Sequence, residues 1–189
     1  MRTPTILFVL FTPCFGCDEL LVESRTPIGH VAGTDSDPRA LTAWDEVLAG
    51  YGEWSDDEVL GTVWTPSDPT FVPYATHGRF VNMDGDVVWL SELPWGAATL
   101  HHGRWVSSND RWHWVPGLVR SNAWVTWQHE GPTTTSWSPA PPSYAWHHGV
   151  AVRINPPEEP TVATIDDDGL TDATTHAEDT EFAKRWLGQ

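Results

Sequence analysis

His77-Gly78-Arg79-Phe80-Val81 and His102-Gly103-Arg104-Trp105-Val106 are one pentapeptide pattern written twice. Each aromatic is followed nine residues on by a tryptophan, Trp89 in the first copy and Trp114 in the second, and the copies superpose without a gap at a spacing of 25. Residues 78–82 and 86–90 flank Met83-Asp84-Gly85, an Asp-Gly hairpin signal. Residues 103–106 and 111–115 flank Ser107-Ser108-Asn109-Asp110 in the same way. In an extended chain Val87 and Trp89 share a face, as do Trp112 and Trp114. A hairpin cannot bury its own face, so neighbouring hairpins must stack or curl together.

Working outward, the alternation continues. Residues 59–64, 71–74, 124–128 and 150–154 read as further strands, punctuated by Pro and Gly. A looser third copy lies in Gly52-Glu53-Trp54 with Trp64 ten residues on, and a fragment of a fourth in His147-His148-Gly149-Val150. Short strands at this spacing predict an antiparallel all-β domain of hairpin repeats. Barrel, sandwich and open array all remain compatible with it. Ahead of the strands, Trp44, Val47, Leu48 and Tyr51 fall at i, i+3, i+4 and i+7. They predict a short helix with one apolar stripe, Thr42 as its N-cap and Gly50 or Gly52 as its stop.

The ends differ from the middle. Residues 1–17 read as an export signal: Arg2, then the apolar run Ile6-Leu7-Phe8-Val9-Leu10-Phe11, too short to span a bilayer. Gly16-Cys17 resembles the end of a lipobox, so Cys17 is the expected lipidation site. Cleaved secretion without a lipid is the alternative. Residues 18–40 form an acidic linker, 41–154 the folded body and 155–189 an acidic tail read as mostly disordered. Within that tail, residues 177–187 carry Phe182 and Trp186 at helical spacing. Net charge is −16, and residues 72–153 hold five acids and five bases between acid-rich flanks. A duplex nucleic acid needs a clustered basic surface, which is missing, and anionic lipid is disfavoured likewise. With Cys14 and Cys17 the only cysteines, the body has no disulfide and is held by burial.

An ordered set of motifs then carries a likeness. Tyr51-Gly52-x-Trp54, Gly61-x-Val63-Trp64-x-Pro66 and Gly78-Arg79-Phe80 open it. His101-His102-Gly103-Arg104-Trp105, Trp112-x-Trp114-Val115-Pro116-Gly117, Ala123-Trp124-Val125-x-Trp127 and Trp137-x-Pro139 complete it. Residues 41–142 resemble a tryptophan-rich bacterial exported domain of unknown function, sometimes joined to FecR-like segments. His102 and Phe80 depart from it, since tyrosine and tryptophan are commoner there. The resemblance implies export and an all-β fold and brings no chemistry.

Three residue types are candidates for function. Most of the 13 tryptophans suit a core. Trp95, Trp127 and Trp137 sit near turns and are read as exposed rings for a ligand such as glycan. Arg79 and Arg104 stand at equivalent places, as anion contacts or, more simply, as cations stacked on indoles. His77, His102 and His148 each precede a glycine and are a candidate metal set. Hydrogen bonding in turns is the simpler reading, because a metal needs three or four ligands converging on one point. Asp166-Asp167-Asp168-Gly169 resembles a calcium loop but lacks the acid at its twelfth position. No nucleophile elbow, phosphate loop or metalloprotease helix is visible, and no cofactor motif. The reading is an exported protein on the periplasmic or outer-surface face of the envelope, acting as a non-catalytic structural or binding module for glycan or an envelope protein. An envelope hydrolase or metal-dependent enzyme on the same scaffold is the alternative.

Overall fold

A computed structural model of the chain describes residues 36–83, 86–129, 134–155 and 159–166. The leader with Cys17, the linker before residue 36, the Asp84-Gly85 turn, most of the calcium-like pattern and the segment with Phe182 and Trp186 lie outside these residues.

The domain is all-β, as the repeat predicts, and one hairpin plan recurs four times. Strands β1 (Gly52–Asp57) and β2 (Gly61–Pro66) set Trp54 opposite Trp64. Strands β3 (Gly78–Met83) and β4 (Asp86–Ser91) set Phe80 opposite Trp89. Strands β5 (Arg104–Ser108) and β6 (Arg111–Val115) set Trp105 opposite Trp114. Strands β7 (Val125–His129) and β8 (Thr134–Pro139) set Trp127 opposite Trp137. A fifth hairpin, β9 (Tyr144–His147) with β10 (Val150–Arg153), and strand β11 (Ala163–Asp166) on β8 complete the set.

These strands form three unclosed sheets, with orders β10-β9-β2-β6-β5 (β1 also on β2), β11-β8-β7 and β3-β4. Trp64 also pairs with Trp114. Directly paired residues share a face, so Trp54, Trp64, Trp114 and Trp105 make a row across four strands. That face meets Phe80 and Trp89 of β3-β4 and Val125 and Trp137 of β7-β8 in one core cluster. Phe80 lies 4.9 Å from Trp127 and 5.2 Å from Trp137 between ring centroids, mostly tilted or edge-on as aromatic quadrupoles prefer. Indole N–H groups bond backbone carbonyls between the strands: Trp105 to Thr99, Trp124 to His101, Trp137 to Tyr74 and Trp146 to Pro116. The opposite face of the large sheet buries Val63, Val106 and Val115 under Ala40, Tyr144 and Trp146.

Several expectations need correction. Residues 71–74 are not a strand: Pro73 offers no N–H to a ladder, Tyr74 turns at φ 59°, and Thr76 N–H bonds the Val72 carbonyl. The chain there is a loop pinned by its rings, with Tyr74 O–H donating to the Leu100 carbonyl and accepting from Trp124 N–H. The predicted helix shrinks to α1 (Asp45–Leu48), capped by Trp44 rather than Thr42. Pro38 starts a separate 3-10 turn, Pro38–Leu41, and Gly50 at φ 83° ends the helical stretch, so there is no second turn for a stripe. Leu48 is buried, while Val47 and Tyr51 are exposed. The strand expected at 59–64 begins at Gly61. His148-Gly149 is not a repeat fragment but the two-residue turn of β9-β10, with φ 53° and 78°. Beyond Ile154, the stretch read as tail supplies β11 and the buried Glu159.

Candidate functional site

The helical turns bring the candidate site together. Helix α1 and the second turn α2 (Gly96–Thr99) lie about fifty residues apart in sequence, yet Trp44, Val47, Ala97, Ala98, His101, His102 and Arg120 line one cleft of about 240 Å³. Trp44 is half-buried and held firmly. Its N–H donates to the Gly117 carbonyl at 3.2 Å, and its ring lies 4.6 Å from His102 and 6.4 Å from Trp114. His102 Nδ1 faces the carbonyls of Ala98 and Ala97 at 3.2 and 3.3 Å. A carbonyl only accepts, so Nδ1 carries the proton.

His101 Nδ1 donates likewise to the Ser121 carbonyl at 2.8 Å. Burial is the main reason its pKa falls to about 4, with the Arg120 and His102 charges adding to the drop. His101 is therefore neutral at pH 7, and Arg120 is the one permanently charged side chain of this lining. Aliphatic surface, an indole face, two imidazoles and a guanidinium can hold a ligand, and the lining includes no hydroxyl, thiol or carboxylate side chain.

The residues singled out from sequence fall elsewhere. Trp95 and Trp137 are buried, not exposed: Trp95 packs on Trp64 and Phe71 at 5.0 Å each, and Trp137 bonds the Tyr74 carbonyl. The turns beside them fold back over the aromatic face, so nearness to Pro and Gly does not bring exposure. Trp127 is half-buried against Phe80 and Trp137. Arg104 is buried with its guanidinium 3.2 Å above the Trp124 ring and bonded to the Gly103 carbonyl, the stacked alternative rather than an anion contact. Arg79, its counterpart in β3, is exposed.

His77, His102 and His148 do not assemble a metal site. Among the described residues no three His, Cys, Asp or Glu side chains converge. His77 lies 3.3 Å from Asp68 on the surface and His148 sits in a turn. Histidine recurs before glycine for backbone reasons: His77 and His148 adopt φ 56° and 53°, a region where His is enriched. Trp44 and Arg120 were missed as site residues, since nothing in the local pattern joins α1 to α2.

No curated protein and no solved structure matches the chain. Residues 45–144, from the start of α1 to the first residue of β9, match the model of the Family of unknown function (DUF6600), and the chain belongs to that family.

Proposed function

We propose that the chain is an exported envelope lipoprotein, anchored through Cys17, whose domain is a non-catalytic module that binds glycan at the Trp44 cleft. The carrying observation is Trp44 itself, a half-exposed indole fixed by a hydrogen bond and two ring contacts beside Arg120. A rigid aromatic face suits the apolar side of a sugar ring, and it is ordered before the ligand arrives. Arg120 favours a polymer that carries carboxylate or phosphate. The leader of residues 1–17 supports placement at the envelope.

The test is a pulldown of purified wall polymers, with the intrinsic tryptophan fluorescence of the full chain followed in parallel. Trp44→Ala should abolish the fluorescence shift and weaken retention about tenfold or more, because a few aromatic anchors carry most of the energy of a binding interface. Arg120→Gln should weaken acidic polymers and leave neutral ones unchanged. Equal retention by Trp44→Ala and the native chain would remove the cleft from the proposal.

A further inference from the structure

Another concavity lies on the opposite face of the large sheet. Val63 and Val115 are covered there by Tyr144, Trp146 and the 3-10 turn, but beyond Thr65 the face is open. Glu53, Ser55, Thr65, Pro66, Ser67 and Arg111 line a cleft of about 440 Å³ at this open end. Strand register puts them together: Glu53 pairs with Thr65, and the Trp64–Trp114 pair places Thr65 beside His113.

The walls are fixed by hydrogen bonds. His113 Nε2 lies 3.2 Å from the Ser108 carbonyl, so it carries the ring proton. Nδ1 then accepts from the Thr65 hydroxyl at 2.7 Å, which leaves the Thr65 oxygen as an acceptor. Arg111 donates to the Pro66 carbonyl, which holds the guanidinium against the wall. Glu53 and Arg111 make no ion pair with each other. A carboxylate and a held guanidinium thus share one concavity without neutralising each other. The tryptophans of these strands face the other way, so no ring is offered for stacking.

The geometry points to this cleft as a binding site for a compact zwitterion, a free amino acid or short peptide. Its ammonium would sit at Glu53, its carboxylate at Arg111, and its middle would hydrogen-bond Ser55, Thr65 and Ser67. The site is independent of the Trp44 cleft and does not rest on glycan binding. Charge-assisted hydrogen bonds at both ends give the selectivity, since a ligand with one charge satisfies only one wall.

Backbone amide shifts of the isotopically labelled full chain provide the test. The probes are glycine, β-alanine, γ-aminobutyrate and diglycine, whose charges are progressively further apart, with acetate and methylammonium as singly charged controls. One charge spacing should give saturable shifts at Ser55 and Ser67, with either control about tenfold weaker. Glu53→Gln should weaken that zwitterion about tenfold and leave acetate unchanged, whereas Arg111→Gln should weaken both. If Arg111→Gln fails to fold, Glu53→Gln decides alone, because Glu53 is exposed. The proposal falls if acetate binds as well as every zwitterion, if Glu53→Gln has no effect, or if none of the probes saturates the cleft by about 10 mM.

Discussion

Gly52, Gly78 and Gly103 stand two positions before the aromatic of their hairpins, each beneath the indole on the facing strand. A Cβ at Gly78 would lie 2.3 Å from the Leu90 carbonyl oxygen and 2.7 Å from the Trp89 ring, and Gly52 meets Thr65 and Trp64 in the same way. The missing side chain is the seat of the ring, a use of strand glycine that covers its exposed backbone with an aromatic. Gly78→Ala should therefore cost about 2–3 kcal/mol, the upper part of the range for an overpacked core. Gly149→Ala, which meets nothing within 4 Å and has only its φ of 78° against it, should cost about 1 kcal/mol. Guanidinium unfolding followed by tryptophan fluorescence compares the two, and equal costs would remove the steric explanation. The seated indoles are not all satisfied. Trp114 N–H donates to the His102 carbonyl, while Trp64 and Trp89 N–H are buried without a partner. In those two hairpins the matching carbonyls, of Tyr51 and His77, already accept from Ser67 and Glu92 N–H.

Hairpins were legible in the sequence where turn residues and Gly-x-aromatic spacing coincide. The pairs Phe80–Trp89 and Trp105–Trp114 are visible for that reason, and Trp54–Trp64 faintly so. The β7-β8 hairpin repeats the plan with Val125 in place of the glycine and a Ser/Thr-rich second strand, so only the ten-residue interval from Trp127 to Trp137 betrays it. β9 and β11 carry no period-two run long enough to stand out. The Trp44 cleft was not legible, since the stripe of Trp44, Val47, Leu48 and Tyr51 marks a helix but nothing in the sequence joins it to its opposite wall, about fifty residues away. Turn chemistry also sets an improvement that the chain has not taken. Asn109 and Asp110 both adopt left-handed φ, 52° and 59°, between the paired Ser108 and Arg111, the geometry for which Asn-Gly is best suited. Asp110→Gly should stabilise the domain by about 0.5–1 kcal/mol, through relief of the left-handed strain net of glycine's entropy. The same unfolding midpoint measures it, and a loss of stability would show that Asp110 contributes a bond beyond its turn.

Across the whole molecule burial moves two groups whose titration falls between pH 4 and pH 8, His101 and Glu159, and they oppose each other. His101 is held down to about 4 from 6.5, chiefly by burial. As pH falls below 6.5 the unfolded chain takes up this proton and the folded chain does not, so stability drops by up to about 3 kcal/mol by pH 4. Glu159, which joins the chain after β10 to the edge of β5, accepts from Ser107 N–H at 3.0 Å while its other oxygen is buried without a partner. Burial raises its pKa from 4.5 to about 7, against the partial opposition of that hydrogen bond. Here the folded chain keeps the proton that the unfolded chain has lost, so stability falls as pH rises from 4.5 through 7. Between 4.5 and 6.5 the two slopes have opposite sign, and the native protein should show a flattened profile there. Glu159→Gln keeps the acceptor for Ser107 N–H and removes the titration. Its unfolding midpoint, measured from pH 4 to pH 8, should climb relative to that of the native chain between pH 4.5 and pH 7, hold a constant excess above that, and fall more steeply on the acid side, where His101 then acts unopposed. A variant profile parallel to the native one at every pH would mean that Glu159 is ionised and hydrated, and that the segment from Glu159 to β11 is not held against β5 by this carboxyl.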